Sequence, residues 1–242
     1  MSKSISRFRP VVQQSPAESE RHYVEVHVPF AQRMLRGKPQ VITYHTNLVV
    51  GEYDVRGRWQ QSPTAWRFVV LTFEEGASLA FTDDEKRIVS NDHRNCLQEL
   101  RACSVAERVM FDQLSGQTSL AKYLFEFDRR PDTPHDEAKQ HIEHIAERFL
   151  EAAHGAFGLR RVILNHVLSE AVTEPLDQEG QLITGRLRPD TDKTAYLEVY
   201  FDNDDWGGDL FEQPAIRELL ADRCFAVAKG YLVDERCGLD RR

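Results

Sequence analysis

The sequence predicts an α+β protein in which two copies of a strand–helix–strand–strand–helix–strand unit close on each other as one barrel. Three observations predict it. The same order of elements occurs twice along the 242 residues. Residues match between the copies in the same order. Each unit, once its helices cover one sheet face, leaves the other face bare, so a second sheet is needed to complete the core. Fusing two units makes that second sheet intramolecular and keeps it at a high effective concentration.

In the first copy, residues 5–12 (ISRFRPVV) read as a strand whose Pro10 confines it to an edge or an end. Ser15 and Pro16 read as an N-cap followed by proline at the first helical position. Tyr23, Val26, His27, Phe30 and Met34 then recur at helical spacing as one apolar stripe. Gly37 and Pro39 stop that helix. The β-branched run 40–50 (QVITYHTNLVV) is a strand. Gly51, Gly57 and Pro63 mark a loop. In 66–73, Trp66, Phe68 and Val70 alternate with Arg67, Val69 and Leu71, so this strand is apolar on both faces and buried on both. Residues 85–100 read as a polar helix and 103–112 as a closing strand.

The order then restarts. Residues 120–127 are a strand, and Ile142, Ile145, Phe149 and Ala153 give the stripe of a helix over 136–153. Strands follow at 161–168 and 194–201, a short helix at 211–221, and a last strand at 224–234. The βαββαβ order is that of the ferredoxin-like unit, which divides the chain into 1–117 and 118–242. Asn47 matches Asn165, Val49 matches Val167, Glu52 matches Glu170, Phe73 matches Phe201 and Asp112 matches Asp234. The largest insertion carries Pro175, Gly180, Gly185 and Pro189 and reads as a protruding loop or hairpin. Asp202, Asp204 and Asp205 with Gly207 and Gly208 read as a solvated turn.

Composition narrows the function. A net charge of −8 argues against a nucleic-acid surface. No apolar run approaches the roughly 20 residues of a membrane span. The N-terminus MSKSISRFRP has no apolar signal core. The four cysteines form no CxxC pair, which suits reduced thiols and a cytoplasmic location. No phosphate loop, dinucleotide fingerprint or nucleophile elbow occurs, and no cofactor or metal is expected. His141 and His144, with Glu137 one turn before, read as a solvated helix face.

The run SPAESERHYVEVHVPFAQRM followed by YHTNLVV resembles the EthD-like family of the dimeric α/β barrel superfamily. The resemblance rests on H-x-P (His27, Val28, Pro29) and Y-x-x-N-x-V (Tyr44, Asn47, Val49), and covers about residues 20–112. The second copy departs from it: His144-Ile145-Ala146 stands where the first has His-Val-Pro, and no tyrosine precedes Asn165. The resemblance implies a dimeric-type α/β barrel closed here within one chain, a pseudo-dimer that leaves a homodimer of such chains open. It also implies relatives that include cofactor-free isomerases, polyketide cyclases, decarboxylases and monooxygenases of aromatic or lactone compounds.

The candidate site follows. His27 lies on the apolar stripe, so it faces the sheet, where an imidazole can move a proton near neutral pH. Pro29 leaves the Glu25 carbonyl without its helical donor and loosens the backbone there. Tyr44 and Asn47 are candidate polar anchors for a carbonyl or enolate. Strand alternation, however, puts His45 and Asn47 on one face and Tyr44 on the other, so one pocket cannot receive both without a bulge. Tyr23, Phe30, His45 and Trp66 are candidate substrate contacts, and His144 and Asn165 are their counterparts in the second copy. The function expected is cofactor-independent proton-transfer chemistry (isomerisation, cyclisation, dehydration or decarboxylation) on a small apolar, aromatic or polyketide-like molecule. A non-catalytic small-molecule-binding protein and a cofactor-free monooxygenase are the alternatives.

Overall fold

The computed structural model describes residues 1–55, 59–60, 65–116, 119–174 and 185–242. Its strands are β1 (Ser2–Pro10), β2 (Val41–Asp54), β3 (Trp59–Gln60), β4 (Arg67–Phe73), β5 (Leu97–Asp112), β6 (Ala121–Arg129), β7 (Leu159–Thr173), β8 (Gly185–Arg188), β9 (Lys193–Phe201) and β10 (Phe225–Asp240). Eight of them close a ring in the order β5-β1-β4-β2-β10-β6-β9-β7, with β7 returning to β5. Every pairing in the ring is antiparallel. The two short strands hang on β2 and β7. The first four ring positions come from the first half of the chain and the next four from the second. The seams are the long pairings β5–β7 and β2–β10. The boundary expected between residues 117 and 118 lies outside the described residues.

Helices cover the outside: α1 (Pro16–His22), α2 (Val28–Arg36), α3 (Asp83–His93), α4 (His135–Ala152), α5 (Asp204–Glu212) and α6 (Pro214–Leu220). Ser15 caps α1 with a full capping box, its hydroxyl accepting from the Glu18 amide while Glu18 reaches back. Thr82 and Glu85 do the same for α3.

An eight-stranded barrel is just wide enough for side chains to fill it. Ile5, Phe68, Val105, Leu124, Tyr196 and Tyr231 pack its interior. The charges inside are paired, as burial requires. Lys122 meets Glu198 at 2.8 Å, and Lys193 meets Glu126 at 2.8 Å.

Three local expectations are corrected. The helix read over 85–100 ends at His93, because Leu97–Ala102 pairs along β1 (Leu100 opposite Phe8, Ala102 opposite Ser6). Long-range pairing overrides the helix preference of that Leu- and Glu-containing stretch. The helix read over 211–221 is two helices, interrupted before Pro214. The solvated turn at 202–208 is the start of α5, capped by the Asn203 side chain accepting from the Trp206 amide. Gly207 lies within that helix because a Cβ there would overlap the Tyr123 ring. Of the insertion, Gly185–Arg188 pairs antiparallel with Glu170–Thr173. Its Pro175 and Gly180 lie outside the described residues, as do Gly57 and Pro63 of the earlier loop.

Candidate functional site

A pocket of about 1010 Å³ opens between the outer face of the first-half sheet and the helices over it. Its floor is made by alternate residues of two strands, Ser2, Ser4 and Ser6 of β1 and Ala102, Ser104 and Ala106 of β5. The residues between them point the other way, with Ile5 and Cys103 in the barrel core. Larger residues beside this floor, among them Phe8, Tyr23, Leu35 and Leu71, set the spacing of helix and sheet, and the small side chains leave the space over them open as the pocket. Phe30, Ala31, Met34 and Leu35 of α2 form the roof, and Leu79, Phe81 and Val89 close one side.

The inner end carries the polar groups. The turn before α2 is a π-helix, Tyr23–His27. Pro29 has no N–H to offer the Glu25 carbonyl, and the preceding turn widens so that the Val28 amide donates to the Tyr23 carbonyl, five residues back. That turn aims His27 at the pocket. His27 is 5% exposed, and its ring lies 4.6 Å from the Tyr23 ring centroid. The segment is pinned to the sheet through Arg67, whose guanidinium donates to Glu20 at 2.7 and 2.8 Å and lies 4.1 Å over the Tyr23 ring. The far end of α2 is held from the second half, where Arg241 donates to the carbonyls of Leu35, Arg36 and Val41.

The residue that sequence reading missed is Asp92, at the end of α3. Its Oδ2 accepts from His27 Nδ1 at 2.5 Å, and its Oδ1 accepts from His22 Nε2 at 3.1 Å. Burial alone would raise this carboxyl. The hydrogen bond and charge of His27, with the hydrogen bond of His22, outweigh burial and hold it below its ordinary value. An ionised Asp92 fixes the tautomer of His27 with the proton on Nδ1, so the lone pair of a neutral ring sits on Nε2. His93, next in sequence, also lines the pocket, with its ring 5.2 Å from that of His27. No local signal marks Asp92, because its partner lies 65 residues away.

Of the sequence candidates, His27, Phe30 and Tyr44 line this pocket. Tyr23 packs behind His27, and Trp66 packs edge-on against Tyr23 at 5.4 Å with its indole N–H donated to Glu20. Burial raises the Tyr44 hydroxyl to about 12, so it is a neutral donor. His45 and Asn47 do not join them. Asn47 is fully buried and donates to the Phe68 carbonyl at 3.4 Å, while His45 faces Glu235 at 3.9 Å. No bulge between Tyr44 and Asn47 turns them to one side, since β2 pairs with β4 residue by residue from Thr43 to Leu48. Asn165 is likewise buried, donating to Glu198 at 3.0 Å. His144 is exposed on α4, one turn from His141, which faces Asp222 at 3.5 Å.

Among the described residues, three groups bring donor atoms within 4.8 Å of one another: His27, Asp92 and His93; His22, Asp92 and Cys96; and His141, Asp222 and Cys224. In the first, Nδ1 of His27 is already committed to Asp92.

No family model and no curated protein sequence matches the chain. Solved structures do. An anthrone oxidase-like protein is 9% identical with a TM-score of 0.57, the alignment covering 98% of this chain and 93% of that one. A "putative monooxygenase" from Lactobacillus acidophilus NCFM is 9% identical with a TM-score of 0.50, covering 98% and 94%. At such identity the likeness concerns the fold, a closed antiparallel barrel of the dimeric α/β barrel type within one chain. Among the described residues no helix is long and apolar enough to cross a membrane.

Proposed function

We propose that the first-half pocket is the active site of a cofactor-independent enzyme acting on a small, largely apolar aromatic or polyketide-like molecule by proton transfer. The observation that carries this reading is the 2.5 Å bond between His27 and Asp92 at the wall of an apolar pocket. A carboxylate that orients an imidazole and stabilises its cation makes a competent general base. In this reading Nε2 of His27 takes a proton from an activated C–H, Tyr44 donates to a substrate oxygen, and Phe30 and Met34 hold the hydrocarbon. Asn47 serves as scaffold between β2 and β4. Returning the proton to another carbon gives isomerisation, attack of the carbanion on a carbonyl of the same molecule gives cyclisation, and expelling a neighbouring hydroxyl as water gives dehydration. In decarboxylation carbon dioxide leaves first from a carboxylate, and the imidazolium form of His27 supplies the proton to the carbanion.

A second reading is favoured by the names of two structural neighbours. After the same deprotonation, a carbanion stabilised by an aromatic ketone reacts with dioxygen, which makes the protein a cofactor-free monooxygenase. Incubating the protein with anthrone and with hydroxylated aromatic ketones, while following absorbance and dissolved oxygen, separates the readings. Substrate loss without oxygen uptake supports the first and matched uptake the second. Tight binding with no turnover supports a non-catalytic binding protein.

The ring order also supports a tandem of two EthD-like, ferredoxin-like repeats, 1–117 and 118–242. Taken as β5-β1-β4-β2 and β10-β6-β9-β7, the halves place first, second, third and fourth strands alike. The first repeat then holds the working pocket.

A further inference from the structure

We propose that His93 is a second catalytic residue of this pocket, a neutral imidazole that donates a hydrogen bond to the substrate oxygen on which charge develops. The proposal rests on the reading of His27 as base and adds a substrate requirement: the carbon that loses its proton must be conjugated to a carbonyl or phenolic oxygen.

The case begins with an unsatisfied group. His93 is 6% exposed, on the buried face of α3 with Val89 and Ser90. Buried polar atoms almost always have a hydrogen-bond partner. Nδ1 of His93 has no partner among the described residues and is shut away from solvent, which leaves Nε2 as the nitrogen that can meet a bound molecule. Its neighbours are rings: Phe8 at 6.5 Å and His27 at 5.2 Å. The side chain borders the pocket, so with the proton on Nε2 the ring can donate to a bound molecule.

Its charge state suits the role. Burial first, then the nearby His27, push the imidazole down to about 3, against the pull of Asp92. At neutral pH the ring therefore carries one N–H and one lone pair. A neutral donor aimed at a developing oxyanion strengthens its bond as charge accumulates and is not spent as an acid. The step balances. The C–H bond breaks, its proton goes to Nε2 of His27, its electron pair moves through carbon to oxygen, and His93 keeps its proton throughout. Two histidines with separate tasks follow from one helix end, since Asp92 turns toward His27 and His93 turns toward the pocket.

The test uses 4-nitrophenolate as the oxyanion mimic and nitrobenzene as its apolar counterpart, titrated against the full chain in mildly alkaline buffer. The wild type should prefer the phenolate by about tenfold or more, the worth of one hydrogen bond to a charged group. His93→Phe should erase that preference while holding nitrobenzene affinity within about twofold, and His93→Asn, which keeps an N–H, should restore part of it. A preference that survives in His93→Phe overturns the proposal. So does one-to-one binding of Zn²⁺ or Fe²⁺ that His93→Phe abolishes, because the pair would then be metal ligands. If His93→Phe does not fold, His93→Asn decides through the same ratio, and an unchanged ratio beside a wild type with no preference also sinks it. Failure of the parent reading looks different: the ratio behaves as expected, but no substrate turns over.

Discussion

The two halves of the barrel carry their helices differently. In the second half the helices lie on the sheet throughout, and in the first they rest on it through Tyr23 and Leu35 but leave a gap over β1 and β5. The strand at the same ring position decides this. β6 turns Tyr123, Phe125 and Phe127 outward, and these interlock with Ile142, Phe149 and Phe211. β1 turns Ser2, Ser4 and Ser6 outward before Phe8, and the space above them is the pocket. One layer arrangement becomes core or cavity according to the side-chain volume on a single strand face, because the larger residues around that face set the spacing of the layers and short side chains do not reach across it. The half that gives up packing is the half that holds the His27–Asp92 pair.

The sharpest way to break this comparison is through chemistry. His27→Ala and Asp92→Asn should each lower turnover by about 100- to 10,000-fold, the usual worth of a positioned general base, with little loss of cooperative unfolding. His144→Ala, exposed on the second-half helix, should leave turnover unchanged. Equal losses from His144 and His27 would put the site elsewhere.

Next in size is packing. Phe211 contacts the rings of Tyr123, Phe125, Phe149 and Phe201. Phe211→Ala should cost about 3–5 kcal/mol in urea unfolding. Phe30→Ala at the half-buried pocket roof should cost far less and weaken binding of an apolar ligand instead. A small loss at Phe211 would mean that the second half is not the tighter one.

Acid should separate the halves as well. The His93 imidazole takes its proton only near 3 in the folded protein, against 6.5 for an unperturbed histidine. Between these values the unfolded chain holds more protons, so the contribution of His93 to stability is intact above about 6.5 and falls as pH drops toward 3. The lowered Asp92 carboxyl acts in the same direction, its contribution being lost as pH falls through its folded value. His93→Phe should flatten the decline measured between neutral pH and about 4.5 by an amount on the order of a few kcal/mol. An unchanged slope would show that the ring is protonated in the folded state.

The smallest effect is a contrast of added methyl groups. A Cβ on Gly230 would overlap the Phe125 ring, so Gly230→Ala should cost about 1–3 kcal/mol. Ala102→Leu, on the pocket floor, should change stability by less than about 1 kcal/mol and reduce ligand affinity by filling space. Comparable destabilisation by both would mean that the floor is already packed.

Much of this was legible in the residues themselves. The alternation of β-branched and aromatic side chains marked all eight ring strands, and Ser15-Pro16 and Gly37 marked the start and stop of the first helical segment, because these are local preferences of backbone and side chain. Strand periodicity also separated Tyr44 from His45 and Asn47 before any fold was known. Which of the two faces meets a cavity was a tertiary decision, since it depends on what the opposing layer brings. The pairing of His27 with Asp92 belongs to the same class. The π-helical turn Tyr23–His27 and helix α3 are independent in sequence and meet only because β1, β2, β4 and β5 lie side by side, and no local pattern records such a meeting. His144 is exposed on α4 while His27 lines a pocket, and the reason is of the same kind: the sequence can repeat a histidine, but the volume on the strand beneath it determines whether a pocket lies within its reach.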